Sequence, residues 1–128
     1  MKYQEIIFEN ETPQVVYHGT SRERWAADKS SPDGLYVTTN YAAAKNYAEE
    51  WRNEDEHPII IEIKISHFEE KFFGPNQETA EQYKEGLWND MGKSADELTW
   101  LDTMKMNGTF VIHNFSEIHK SSVRVIEL

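Results

Sequence analysis

The chain has 128 residues, and its 13 Lys and Arg stand against 23 Asp and Glu, a formal charge of −10. A single domain of this length, residues 1–128, buries enough surface to fold without staples, and the absence of cysteine excludes disulfides, thiolate zinc sites and a thiol nucleophile. The negative field argues against direct contact with nucleic acid. The opening MKYQEIIFENE has no apolar signal core, and the longest apolar stretch, Ile59 to Ile65, is too short for a bilayer span, so a cytoplasmic protein making no membrane contact is expected.

In chain order, Lys2 to Phe8 reads as a strand closed by polar residues up to Pro13, and Val15 to His18 as a second strand. Gly19-Thr20-Ser21 then caps a helical turn over Arg22 to Asp28. A loop with the turn Pro32-Asp33-Gly34 leads into a strand over Leu35 to Thr38. Asn40 caps a helix whose residues Tyr41, Ala44, Tyr47, Ala48 and Trp51 share one apolar face. Ile59 to Ile65 is the strongest strand, with Glu62 and Lys64 on one face and Ile61, Ile63 and Ile65 on the other. An irregular stretch through Phe68, Phe72 and Phe73 precedes a helix over Asn76 to Met91, a break at Gly92, and a shorter helix from Ser94 to about Leu101. Thr109 to Ile112 and Val123 to Leu128 are late strands. Roughly six strands and four helices without regular βαβ alternation predict an α+β fold. Trp25, Trp51, Trp88 and Trp100 fall at spacings of buried helix faces.

Glycine-rich phosphate loops, a nucleophile elbow and paired helical histidines are all absent from the sequence, and its five His are scattered, so no metal site is assigned. The segment from Val15 to Trp51 carries more unusual choices. His18 ends a strand and is followed by Gly19, where the missing side chain lets a ligand approach the backbone. Tyr36 and Tyr47 follow eleven residues apart. Taken singly, His18 is also explained as a polar strand end and the tyrosines as core.

Together, Tyr17-His18-Gly19-Thr20, then Gly34-Leu35-Tyr36-Val37-Thr38, then Ala44 and Tyr47 resemble the ADP-ribosyltransferase fold of the His-Tyr-Glu type. That group includes the poly(ADP-ribose) polymerases, diphtheria-like toxins and small bacterial or phage transferases. The resemblance implies two facing antiparallel sheets gripping NAD, as substrate, in a cleft flanked by helices. It implies that Gly19 holds the nicotinamide amide, that His18 bonds an adenosine-side ribose hydroxyl, and that Tyr36 and Tyr47 sandwich the nicotinamide ring. Thr20 would add a hydroxyl, and Arg22 or Arg24 would meet the pyrophosphate. Both arginines also suit a solvated helix face.

The late strand departs from the family pattern. Thr109 stands where the family has its catalytic acid, and Ala44 where some members have a serine. A carboxylate from elsewhere is one remedy: Asp102, read as a loop residue before the strand, is best placed, ahead of Glu117 and Glu62. Asp102 also suits a cap. The expected activity is transfer of one ADP-ribose to a protein target by a bacterial or phage effector, a basic or nucleic-acid-binding complex being one kind of target. The segment 76–101 is either a target-docking insert or a solvated helix covering a sheet edge. A catalytically silent NAD or ADP-ribose binding module and an acidic inhibitor of a basic, nucleic-acid-binding surface are the alternatives.

Overall fold

The computed structural model describes residues 14–66, 69–115 and 122–128. The strand expected over Lys2 to Phe8, together with Phe68 and Glu117, lies outside them. The described strands are β1 (Val15–Ser21), β2 (Leu35–Thr38), β3 (Pro58–Lys64), β4 (Phe73–Gly74), β5 (Thr109–Ile112) and β6 (Val123–Glu127). The helices are α1 (Trp25–Asp28), α2 (Tyr41–Glu50), α3 (Gln77–Lys84) and α4 (Trp100–Asn107). The class is α+β, as the sequence predicts.

The expected pair of facing sheets takes a different form. All six strands join one antiparallel sheet in the order β4-β5-β2-β1-β3-β6, but its ladder is uneven. β1 pairs with β3 along its whole length, from Val15↔Lys64 to Ser21↔Pro58, and β2 pairs with β5 from Leu35 to Thr38. Between β1 and β2 the register holds only Tyr17↔Thr38. The sheet is therefore two three-stranded halves joined at one rung, and the seam past that rung opens beside His18 and Tyr36.

β1 runs three residues beyond the expected His18 because Thr20 and Ser21 enter the ladder opposite Ile59 and Pro58. Their buried hydroxyls bond the Asp28 and Glu56 carboxylates, which satisfies groups that are costly to bury alone. On one sheet face Val16, Leu35, Ile61, Ile63, Phe110 and Ile112 form the core with Trp100. Phe110 meets Phe73 and Trp100 at centroid separations of 5.3 and 4.9 Å, edge and tilted geometries that aromatic quadrupoles favour.

The other face is covered by α2, which starts at the Asn40 cap as expected, its side chain accepting from Ala43 N at 3.1 Å. A Cβ on Gly19 would lie 2.1 Å from the Ala44 carbonyl oxygen. Glycine in β1 and alanines in α2 thus permit a very close helix–sheet approach. That approach splits the expected apolar face: Ala44 and Ala48 are buried, whereas Tyr41, Tyr47 and Trp51 are exposed. Trp51, expected in the core, is 65% exposed, while Trp100 is buried.

Two helix boundaries also differ from expectation. α3 stops at Lys84 rather than Met91, and Gly86 takes the left-handed conformation (φ 83°) just beyond it. The helix expected over Ser94 to Leu101 is divided: a 3-10 turn, Ala95–Glu97, opens at a Ser94 capping box, and a separate α-helix runs Trp100–Asn107. A reciprocal cap between Thr99 and Asp102 opens it, and left-handed Gly108 (φ 78°) closes it. Among the described residues, no helix is long and apolar enough to cross a membrane.

Candidate functional site

His18 sits at the opened seam, one residue past the single β1–β2 rung. Its Nδ1 donates to the Tyr36 carbonyl oxygen at 2.6 Å, tying β1 to β2 by a side chain where the backbone ladder has ended. Its Nε2 lies 3.0 Å from Asp28 Oδ2. Both partners are acceptors, so both ring nitrogens donate when the two bonds are made together. The Thr20 hydroxyl donates to the same Asp28 oxygen. Burial pushes the Asp28 carboxyl up, but hydrogen bonds from His18 and Thr20, with the charges of His18 and Arg24, outweigh it and hold the group below its ordinary value. Both His18 ring nitrogens thus have protein partners, and His18 and Asp28 line the cleft side by side.

Two cavities meet at this seam, with His18, Tyr36 and Tyr47 lining both. The first, of about 210 Å³, adds Asp28, Arg24, Trp51 and Arg52. Tyr47 and Trp51, one turn apart on α2 and its cap, stack at 5.9 Å with a 22° interplanar angle, presenting a flat aromatic surface at the rim. Arg24 Nε is held by Glu56 at 3.1 Å. Arg52 Nη1 donates to the carbonyls of Asn53, Glu54 and Glu56, its Nε is buried without a partner, and among the described residues no carboxylate pairs with it. An acidic chain therefore keeps two guanidinium groups on one cavity wall, a setting suited to an anionic ligand.

The second cavity, of about 260 Å³, is more apolar, with Tyr17, Val37, Ala43 and Ala44 beside the shared residues. Gly19 lines it too, although packing against α2 already accounts for the missing side chain. Tyr36 and Tyr47 are 47% and 55% exposed, so their rings stand at a ligand's disposal rather than in the core. The far rim is polar. Thr109 Oγ1 donates to Asn107 Oδ1 and accepts from Asn76 Nδ2 at 2.9 Å, and Asn107 Nδ2 donates to Thr79 at 2.8 Å. The Thr109 hydroxyl proton is committed within this network. Among the described residues, Glu78, in the first turn of α3, is the one carboxylate lining the second cavity.

Of the residues singled out in the sequence, His18, Gly19, Thr20, Tyr36, Tyr47, Arg24 and Thr109 come together on these walls. Asp102 does not. It caps α4, accepting from the Thr99 backbone at 2.8 Å and from Lys93 Nζ at 2.9 Å. Those bonds outweigh the effect of partial burial and keep its carboxyl below the ordinary value. Arg22 pairs with Glu127 on the surface, away from both cavities, and Glu62 pairs with Arg124 at 3.1 Å. Asp28, Arg52 and Glu78 were not legible as site residues. Only the Asn-x-Glu pattern of Asn76 and Glu78, a cap followed by an acid in the first turn, placed a carboxylate at a known point of a helix.

Comparison of the chain with protein-family models, with curated proteins and with solved structures found no match.

Proposed function

We propose that the chain is a mono-ADP-ribosyltransferase, using NAD as substrate and a protein as acceptor. The observation that carries this reading is the convergence of His18, Tyr36 and Tyr47 on two adjoining cavities of unlike polarity at the opened seam. NAD has a matching division: a nicotinamide riboside at one end, an adenosine at the other, and a pyrophosphate between. In this reading the nicotinamide enters the apolar cavity against Tyr36 and Tyr47. The adenosine diphosphate half lies in the first cavity, its phosphates towards Arg24 and Arg52 and a ribose hydroxyl donating to Asp28.

The reaction breaks the bond between ribose C1′ and the nicotinamide nitrogen. The electron pair leaves with nicotinamide, which becomes neutral, and the ribosyl group passes through an oxocarbenium-like state. A nucleophile on the acceptor forms the new C1′ bond and gives up its proton. Positioning and electrostatic stabilisation are the protein's main contributions to such a step. The net charge of −10 favours a protein acceptor over a nucleic acid, and the segment 76–101, with Leu87 exposed, is the proposed docking surface.

The test is nicotinamide release from NAD by the purified chain, with and without cell lysate. Release that depends on lysate, with ADP-ribose appearing on a protein band, supports the transferase; release without lysate makes water the acceptor. One observation favours a second reading, a silent NAD or ADP-ribose binding module: Thr109 stands at the start of β5 with its hydroxyl already engaged. NAD binding without nicotinamide release in either condition selects that reading.

A further inference from the structure

We infer that Glu78 supplies the carboxylate that β5 lacks, an assignment that rests on the transferase reading. Thr109 brings no charge to the start of β5, yet the second cavity does contain one negative side chain. Glu78 is exposed, lines that cavity, and among the described residues its carboxylate has no hydrogen-bond or ion-pair partner. Other acids near the cleft lie apart from the second cavity: Asp28 lines only the first and is bonded by His18 and Thr20, and Glu56, on neither wall, is held by Arg24 and the Asn53 backbone.

The placement of Glu78 is built rather than incidental. Asn76 Oδ1 accepts from Glu78 N at 3.0 Å, and Asn76 Nδ2 donates to Thr109 Oγ1 at 2.9 Å. One asparagine therefore fixes the first turn of α3 against the first residue of β5. Glu78, two residues after that asparagine, lines the same cavity as Thr109. Asn76 is itself nearly fully buried, at 9% exposure, which makes it a firm anchor.

In the reaction, the Glu78 carboxylate accepts a hydrogen bond from a hydroxyl of the reacting ribose and stabilises the positive charge that develops as the C1′–nicotinamide bond breaks. As the acceptor's nucleophile closes on C1′, its proton passes to Glu78 and then to solvent. Asn76 and Thr109 are positioning residues in this scheme.

The experiment compares nicotinamide release and NAD affinity, the latter by quenching of tryptophan fluorescence, for the wild type, Glu78→Gln and Glu49→Gln. Glu49 is an exposed glutamate of α2 that lines neither cavity and lies outside the segment 76–101. The expected result is a fall in kcat of about 100-fold or more in Glu78→Gln, with NAD affinity retained and Glu49→Gln at the wild-type rate. Wild-type turnover in Glu78→Gln overturns the assignment and leaves the transferase reading standing. So does a loss of NAD affinity that accounts for the whole loss of rate, since Glu78 is then a binding group. A wild type that binds NAD but releases no nicotinamide, even with lysate, overturns the transferase reading and this inference with it.

Discussion

Replacing Gly19 with alanine separates two explanations for the same residue. A Cβ there would stand 2.1 Å from the Ala44 carbonyl oxygen, and real Cβ atoms essentially never come within 3.0 Å of a non-bonded heavy atom. The obstacle is backbone, so α2 has to retreat by about 1 Å. Overpacking of this kind costs roughly 1–3 kcal/mol, against about 0.4–1 kcal/mol regained from the stiffer unfolded chain. The net loss of about 1–2 kcal/mol lowers Tm by roughly 4–8 °C for a domain of this size. Because α2 and its cap carry Tyr47 and Trp51 to the cavity rim, the same shift misplaces the ligand surface, and a 1 Å error costs on the order of 100-fold in rate. Thermal unfolding followed by circular dichroism, together with nicotinamide release, reads both effects. An unchanged Tm with lost NAD binding would refute the packing argument and return Gly19 to the ligand alone.

Trp51→Ala leaves stability within about 0.5 kcal/mol, since the residue is 65% exposed, and on the proposed NAD reading it weakens NAD binding by about 0.5–1.5 kcal/mol; calorimetric titration measures the second and a thermal melt the first. Asp102→Ala removes half of the α4 capping box and costs about 1 kcal/mol, yet leaves kcat for nicotinamide release unchanged, which a catalytic Asp102 would not. Phe110→Ala, at a fully buried position, costs about 3–5 kcal/mol, seen as a lower midpoint in urea. Stability falls on acidification. Asp28, Glu56 and Asp102 are held below their ordinary values in the fold, so their contribution is complete above the unfolded carboxylate range near pH ~4 and is lost as pH drops through the lower folded values. Tm measured from neutral pH to about pH 3 checks this, and a profile that stays flat below pH ~4 would contradict it.

The parts legible in the sequence are those whose signal is local. Ile59 to Ile65 is apolar enough to fix the strand, and its alternation from Ile61 onward fixes the core face, although Ile60 on the opposite face is buried too; Asn40 announces the helix that follows it. The α4 boundary is also written in the chain, since Thr99 and Asp102 have capping-box spacing, a local signal that the expected helix from Ser94 to about Leu101 does not use. Tyr47 and Trp51 share helical spacing with Ala44 and Ala48, and that spacing alone does not reveal which of them the sheet will admit. The close approach of the α2 backbone to Gly19 decides it, since Ala44 and Ala48 are buried there and the aromatics are left at the rim. Asp28 is ten residues from His18, and Glu78 is 31 residues before Thr109. Their meeting depends on strand order and helix direction, which periodicity does not encode.

The single rung between β1 and β2 alters the mechanics of the whole sheet. In an ordinary six-stranded sheet the central ladder holds the amides slowest to exchange, and fraying begins at the edges. Here the middle ladder is the sparsest, with one backbone pair and one imidazole bond across it, and the two halves are held together instead by the core they share, Val16 and Ile61 from one and Leu35 and Phe110 from the other. Amides beside the seam in β1 and β2 are therefore expected to exchange ahead of those in the β1–β3 and β2–β5 ladders.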